Sequence, residues 1–343
     1  MSVDARTDGA PRRRKRGGRG GGGRGERAMV PDAEFTSYYG KPVVKESPWE
    51  TDIPAYLFLG GLAGASSLLA AGADLTGRPT LRRSARVSAL AGISLSFAAL
   101  VHDLGKPSRF YHMLRVAKVT SPMSVGTWIL TGYGPLAGLA AVSEARGLLP
   151  AALRKGAVGK AAHGVGRGSG LGAAVLGSAV ASYTAVLLSD TATPSWHDAK
   201  DHLPFVFVGS AAAAAGGLGM LTAPLAEAGP ARRMACAGAA LDLAVSKAME
   251  SSMGLTAQPM HEGRAGAYLK VAKGLNAAGG LLAAAGGRSR AVSVAAGAAL
   301  LAGSVCTRFG IFHAGQQSAR DPRYTVVPQR ERVDAGLGVA APS

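Results

Sequence analysis

The chain has 343 residues, 48% of them hydrophobic and 17% charged, with a net charge of +17 and two cysteines. Cys236 and Cys306 stand alone, which excludes an iron-sulfur cluster or a thiolate zinc site made by this chain by itself, since both need clustered thiolates. The mean hydropathy of +0.17 is low for a polytopic membrane protein, because the apolar stretches use Ala and Gly where Leu and Phe are more usual.

Residues 1–48 form a basic leader. Arg12, Arg13, Arg14, Lys15, Arg16, Arg19, Arg24 and Arg27 sit among glycines, a composition that cannot bury apolar surface and predicts disorder. RNA binding and attraction to anionic lipid are the two readings of such a tract, and the second is the expectation. Nothing in the rest of the chain calls for nucleic acid, and no apolar region follows Arg16 as a twin-arginine signal would require.

Four stretches then run without a charge for at least 21 residues: Ile53–Ala73, Val119–Ser143, Gly168–Ser189 and Leu203–Ala226. A helix rises 1.5 Å per residue and the hydrocarbon core is about 30 Å thick, so each can cross a bilayer. Weaker candidates are Val87–Val101 ending at His102, Met234–Met249 containing Asp242 and Lys247, and Gly274–Gly287 between Lys273 and Arg288. Ala291–Thr307, closed by Arg308, completes eight spans. An alanine-rich soluble bundle would show polar faces at a 3.6-residue period, and the four long stretches show none.

The expectation is an all-α protein of the plasma membrane: a multi-pass domain of eight transmembrane helices over residues 49–315, both termini on one side, and a polar C-terminal tail over 316–343. The first, third, fifth and seventh loops are basic, the fourth is acidic with Asp190, Asp198 and Asp201, and the second is basic. The positive-inside rule puts the odd loops in the cytoplasm while the basic leader argues the reverse, so orientation stays open. Ile53-Pro54 with Phe58 and Gly60 is echoed by Leu203-Pro204 with Phe207 and Gly209; Pro79 with Arg82-Arg83 is echoed by Pro230 with Arg232-Arg233. A four-span unit repeated once predicts two four-helix bundles with a seam between them.

Ionisable groups inside a bilayer are costly and each needs a reason. Asp52 and Tyr56 lie one turn apart on the same face of the first span; they can cap the helix and sit in the aromatic belt, or together hydrogen-bond a small carbonyl and hand it a proton. His102, Asp103 and Lys106 close the second span beside Gly105 and Pro107, marking either a headgroup boundary or a site. Between the second and third spans, Phe110, Tyr111, Met113 and Leu114 alternate with Arg109, Arg115 and Lys118, as in a short interfacial helix. Tyr183 falls near the middle of its span, where a phenol needs a partner or a ligand. Asp242 and Lys247, with Glu250 beyond, should point into the bundle as a proton route or as a structural ion pair. The seven histidines are placed at span ends or in loops, which does not suit paired haem ligation.

Trp49 to Gly61, His102 to Phe110 and Thr120 to Trp128 together resemble the NrfD/PsrC family of polysulfide-reductase-type membrane subunits. Tyr183 to Leu188 with Pro194 and Trp196 is similar to that family's fourth span, and Gly315 to Arg332 to the tails of some members. The resemblance implies an eight-helix quinone-binding subunit without a prosthetic group of its own, serving anaerobic respiration. It also implies a four-cluster ferredoxin-type iron-sulfur partner, usually with a molybdopterin catalytic subunit.

By the same resemblance the quinone, menaquinone, sits beside the start of the first span near the face where the iron-sulfur partner docks. The family's second-span aspartate falls on Asp103 and its fourth-span tyrosine on Tyr183. The first-span polar pair falls on Asp52 and Tyr56, where other members carry an amide and a histidine. His102, Lys106 and Arg109 are neighbours of this site, and Asp242, Lys247 and Glu250 are candidate relay groups toward the far face. A transporter or proton channel using the buried charges without quinone, and a passive anchor, are the competing expectations.

Overall fold

A computed structural model describes residues 42–104, 106–148, 156–287 and 289–335. The leader up to residue 41, with Arg154, Lys155 and Arg288, lies outside the described residues. Among those described, eight helices have 20 residues or more, and we label them in order: α1 Asp52–Leu75, α2 Pro79–His102, α3 Pro122–Val142, α4 Ala157–Ser189, α5 Leu203–Thr222, α6 Gly229–Ser252, α7 Gly263–Ala285 and α8 Arg290–Arg320. A last helix, α9 (Arg323–Asp334), follows within the C-terminal segment. Short 3-10 turns cover Pro107–Leu114 and Gly254–Met260, and a single helical turn covers Pro194–Asp198.

Proline opens several helices, at Pro79 in α2 and Pro122 in α3, where its missing N–H is one the first turn leaves unpaired anyway. At the far end of α1, Gly77 takes φ +66°. Arg78 N–H then reaches back to Ala73 O at 2.9 Å, so the chain reverses into α2 within three residues.

Six helices, α1 to α5 and α8, are long and apolar enough to cross a membrane. α6 carries Arg232, Arg233, Asp242, Lys247 and Glu250, and α7 carries Arg264, Lys270 and Lys273, which takes both below that level. Several expected boundaries move: α2 begins eight residues before Val87, α4 eleven before Gly168 and α6 five before Met234. α7 begins eleven residues before Gly274, and α8 does not stop at Thr307: it continues to Arg320, so Arg308 is an internal residue 1% exposed rather than a headgroup marker. His313 likewise lies within α8, stacked on Tyr268 at 5.7 Å, and not at a helix end.

α1 packs on α2 and α4, and α3 on α4; α5 packs on α6 and α8, and α7 on α8, with α1 and α4 meeting α5 between the two sets. Apolar association gains little in lipid, so close backbone packing holds such helices together. Glycine makes that possible: a Cβ on Gly177 of α4 would stand 3.1 Å from the Gly64 Cα of α1, and one on Gly238 of α6 would stand 2.7 Å from Gly209 O of α5. Gly217 of α5 and Gly297 of α8 are opposed in the same way.

Candidate functional site

The start of α1, the end of α2, the start of α3 and the last turns of α4 converge on one pocket. Trp49 and Glu50 lead into α1, and this lead-in is tied down twice. Gln316 of α8 donates to Ser47 O at 3.2 Å and Trp49 O at 3.1 Å, while Glu50 N–H donates to Asp103 Oδ1 at 3.4 Å. Trp49 stacks on the buried Trp196 with ring centres 6.0 Å apart, and Trp196 Nε1–H donates to Ile311 O at 2.8 Å.

At the pocket floor Tyr56 of α1 and Tyr183 of α4 are both buried, and their hydroxyls hydrogen-bond each other. A phenol has one O–H to donate. In such a pair one hydroxyl donates to the other, leaving one O–H to donate to a further acceptor in the pocket. Gly126 of α3 faces the Tyr183 ring so closely that a Cβ there would overlap it, with Cδ2 at 2.7 Å. The ring position therefore depends on this glycine.

Asp103 follows the last residue of α2 at the pocket rim and is half-buried. Partial burial, with the carboxylates of Asp52 and Glu50 adding to it, holds its carboxyl above the ordinary range, although the Glu50 amide and His102 pull the other way. Asp52 does not enter the pocket lining. Its side chain turns to His102, Oδ2 to Nδ1 2.7 Å, with the histidine 80% exposed. Lys106 and Arg109 are exposed on the same rim, outside the lining.

The pocket has a volume of about 90 Å³ and an apolar wall that includes Ile53, Leu100, Met113 and Leu130. Beside it, between α2, the Pro107–Leu114 turn and α3, lies an apolar groove of about 450 Å³. Leu100, Met113, Thr127 and Leu130 line both, so the two are neighbours with a shared wall. Together they reach the roughly 300–1,000 Å³ usual for small-molecule sites.

The structure thus brings Tyr56, Asp103 and Tyr183 together and sets Asp52, His102, Lys106 and Arg109 around the rim. Asp242 and Glu250 lie in the other half of the molecule. Lys247 is exposed, contrary to the expectation that it points into the bundle: Asp242 is five residues, about 1.4 turns, away from it on α6, and the helix turns Lys247 outward. Trp49, Gly126 and Met113 complete the pocket. The first two stand within the motifs that carry the resemblance, but no rule of spacing distinguishes them there.

Apolar spans, Gly-mediated packing and buried polar groups near one end define an integral membrane protein. Residues 42–238 match the model of the family described as polysulphide reductase, NrfD, which is more than half of the chain. The chain belongs to this family, whose members are membrane subunits of redox complexes and work with other redox subunits. No curated protein matches it.

Proposed function

We propose that this protein is the quinone-reactive membrane subunit of a multi-subunit oxidoreductase, with eight transmembrane helices in two four-helix bundles of the plasma membrane. Menaquinone is its substrate, held in the Tyr56–Asp103–Tyr183 pocket. Electrons pass between it and a four-cluster ferredoxin-type iron-sulfur partner docked over the pocket rim. A molybdopterin subunit beyond that partner carries out the catalytic reaction, in anaerobic respiration.

The observation that carries this reading is a pair of mutually bonded buried phenols and a partly buried carboxyl opening beside an apolar groove. A lipid-soluble ring needs a dry wall and a few donors, and its chain needs an apolar path; both are present. Interconversion of quinone and quinol moves two electrons and two protons. The residues serve the protons: the free O–H of the tyrosine pair donates to a ring oxygen, and Asp103, whose carboxyl partial burial holds above the ordinary carboxylate range, gives or takes a proton at the rim. Trp49 and Ile53 exclude water from one side, and Gly126 holds the Tyr183 ring in place. Asp52 and His102 form a hydrogen-bonded pair beside Asp103 that links the rim to solvent.

The test uses the purified complex with its partner subunits and a naphthoquinol as electron donor or a naphthoquinone as acceptor. Tyr183→Phe and Asp103→Asn should each assemble and slow quinone-linked electron transfer at least about fivefold. Unchanged turnover in both variants removes this pocket from the reaction.

A further inference from the structure

Three polar side chains are buried together in the half of the molecule that the quinone pocket does not use, beyond the residues that match the family. Asp242 of α6 is 2% exposed, Asn276 of α7 1% and Arg308 of α8 1%. Asn276 Nδ2 donates to Asp242 Oδ2 at 2.5 Å, and Ser246 Oγ donates to Oδ1 at 3.3 Å. Arg308 Nη2 donates to Phe207 O at 2.7 Å, and its guanidinium carbon stands 3.7 Å from the centre of the Phe207 ring.

Asp242 and Arg308 are near enough for each charge to act on the other, yet they are not among the direct salt bridges of the described residues. Arg308 Nε and Nη1 and Asn276 Oδ1 are buried without a protein partner. A buried guanidinium with two idle nitrogens, three N–H donors between them, is expensive, since each unmet buried donor costs about 1–3 kcal/mol. A purely structural ion pair would close directly and spend those donors on the carboxylate. This one is held apart, with Arg308 fixed on a carbonyl and a ring and Asp242 on an amide.

The cluster also has an approach. Asp242, Ser246 and Glu250 follow one another at four-residue steps on one face of α6, roughly 6 Å per step. They line the cleft between α6 and α7 together with Lys273 and Asn276. At its outer end Glu250 pairs with Lys273 at 2.7 Å and lies 3.7 Å from the exposed His261. That end adjoins the Gly254–Met260 turn, whose Thr256 O accepts from Ser195 next to Trp196, so it opens on the face that carries the pocket rim. On the inner side, α5 and α6 approach backbone to backbone at Gly209, Gly216 and Gly238, and buried alanines fill the core.

We infer that Asp242 is a proton-exchange site of this second half, loaded and emptied from the pocket-rim face through Ser246 and Glu250, with Arg308 as its buried counter-charge. The proton moves from solvent to the Glu250 carboxylate and on to Asp242, leaving a neutral carboxyl beside the guanidinium; release reverses the path. The ionisable groups around the site are Glu250 on α6, Lys273 on α7, Arg308 on α8 and His261 in the preceding turn; α5 presents only Ser210 and the Phe207 carbonyl, and Lys247 and Lys270 face outward. Because α1 meets Arg308 at Gly61, where a Cβ would lie 3.3 Å from Nη2, the counter-charge touches the helix that bears Tyr56.

The test is infrared difference spectroscopy of the whole complex in lipid, quinone-free, as bulk pH is stepped. The wild type should show a buried carboxyl band that follows pH and shifts on deuteration. Asp242→Asn should remove that band, and Glu250→Gln should keep it but slow its response to deuterated buffer by about a hundredfold, the low end for loss of a positioned proton-transfer group. A wild-type band that ignores bulk pH, or a band unchanged in Asp242→Asn, overturns the site. If Asp242→Asn does not assemble, an unslowed response in Glu250→Gln overturns the route. Since no quinone is present, these outcomes are independent of the reading of the phenol pocket.

Discussion

The tyrosine pair makes a prediction in which stability and function part company. Tyr56 and Tyr183 are buried and their hydroxyls answer each other. Changing either one to Phe leaves the other O–H without its partner in an apolar wall, at about 1–3 kcal/mol, whereas removing both hydroxyls leaves two matched apolar rings and is close to neutral. Tyr56→Phe and Tyr183→Phe should each lower the thermal inactivation temperature of the detergent-solubilised complex. The double variant should be less destabilised than the sum of the two, with a coupling of about 1–2 kcal/mol in the cycle. Quinone-linked turnover should behave otherwise. Each single variant keeps one O–H but loses the neighbour that orients it, and the misplaced donor costs a comparable 1–3 kcal/mol at the reacting oxygen, about a 5- to 150-fold decrease; the double variant, with no O–H left, should be no better than the worse single. Additive stability effects would show that the hydroxyls do not share a bond. Recovery of turnover in the double variant would show that the pair acts through packing and not through its proton.

Gly126→Ala places a methyl against the Tyr183 ring and should abolish quinone-linked turnover while the complex still assembles; full turnover would mean that the ring has room to move. Asp103→Asn should flatten the pH dependence of stability on the acid side. With the folded-state carboxyl raised, its protonated form adds stability that is complete below the unfolded value and is lost as pH rises through the folded one, so the wild type should weaken over that interval and the variant should not. Glu144→Ala should cost about 3–5 kcal/mol in thermal inactivation, because it strips the carboxylate that Arg82 reaches at 2.8 Å and the buried Arg86 at 2.9 Å and leaves Asp74 alone to face two guanidinium groups. A loss below about 1 kcal/mol would place that cluster with ordinary surface pairs.

Helix content and the need of Tyr183 for a partner were legible because each has a local signature. A run such as Leu203 to Ala226 without a charge states its own length, and Tyr183 inside another run demands a partner that a one-dimensional reading can expect in kind but not name. The partner proved to be Tyr56, 127 positions earlier, and only the packing of α1 on α4 through Gly64 and Gly177 brings the two hydroxyls together. Asp52, which shares a helical face with Tyr56 by spacing, is drawn off to His102 at the end of α2, and a helical period cannot foresee that competition.

Arg308 is the instructive miss. At the end of an apolar run an arginine is most economically a headgroup anchor, and that rule assigns it to the span boundary. The helix instead continues for twelve residues past it, because Gly310, Gly315 and small neighbours let α8 pass close to Leu269 and Trp196. Its charge is then answered from two other helices, by the Phe207 carbonyl and ring on α5 and the carboxylate on α6, while Gly61 on α1 leaves it room. Tolerance of a guanidinium at that depth comes from long-range geometry, and so does its usefulness. A cation fixed by a carbonyl and a ring is free to answer a carboxylate whose charge changes, which a closed ion pair could not do. The two halves of the molecule therefore differ in kind: one meets its buried polarity with neutral phenols that can hand on a proton to a ligand, and the other with a separated charge pair that can hold one.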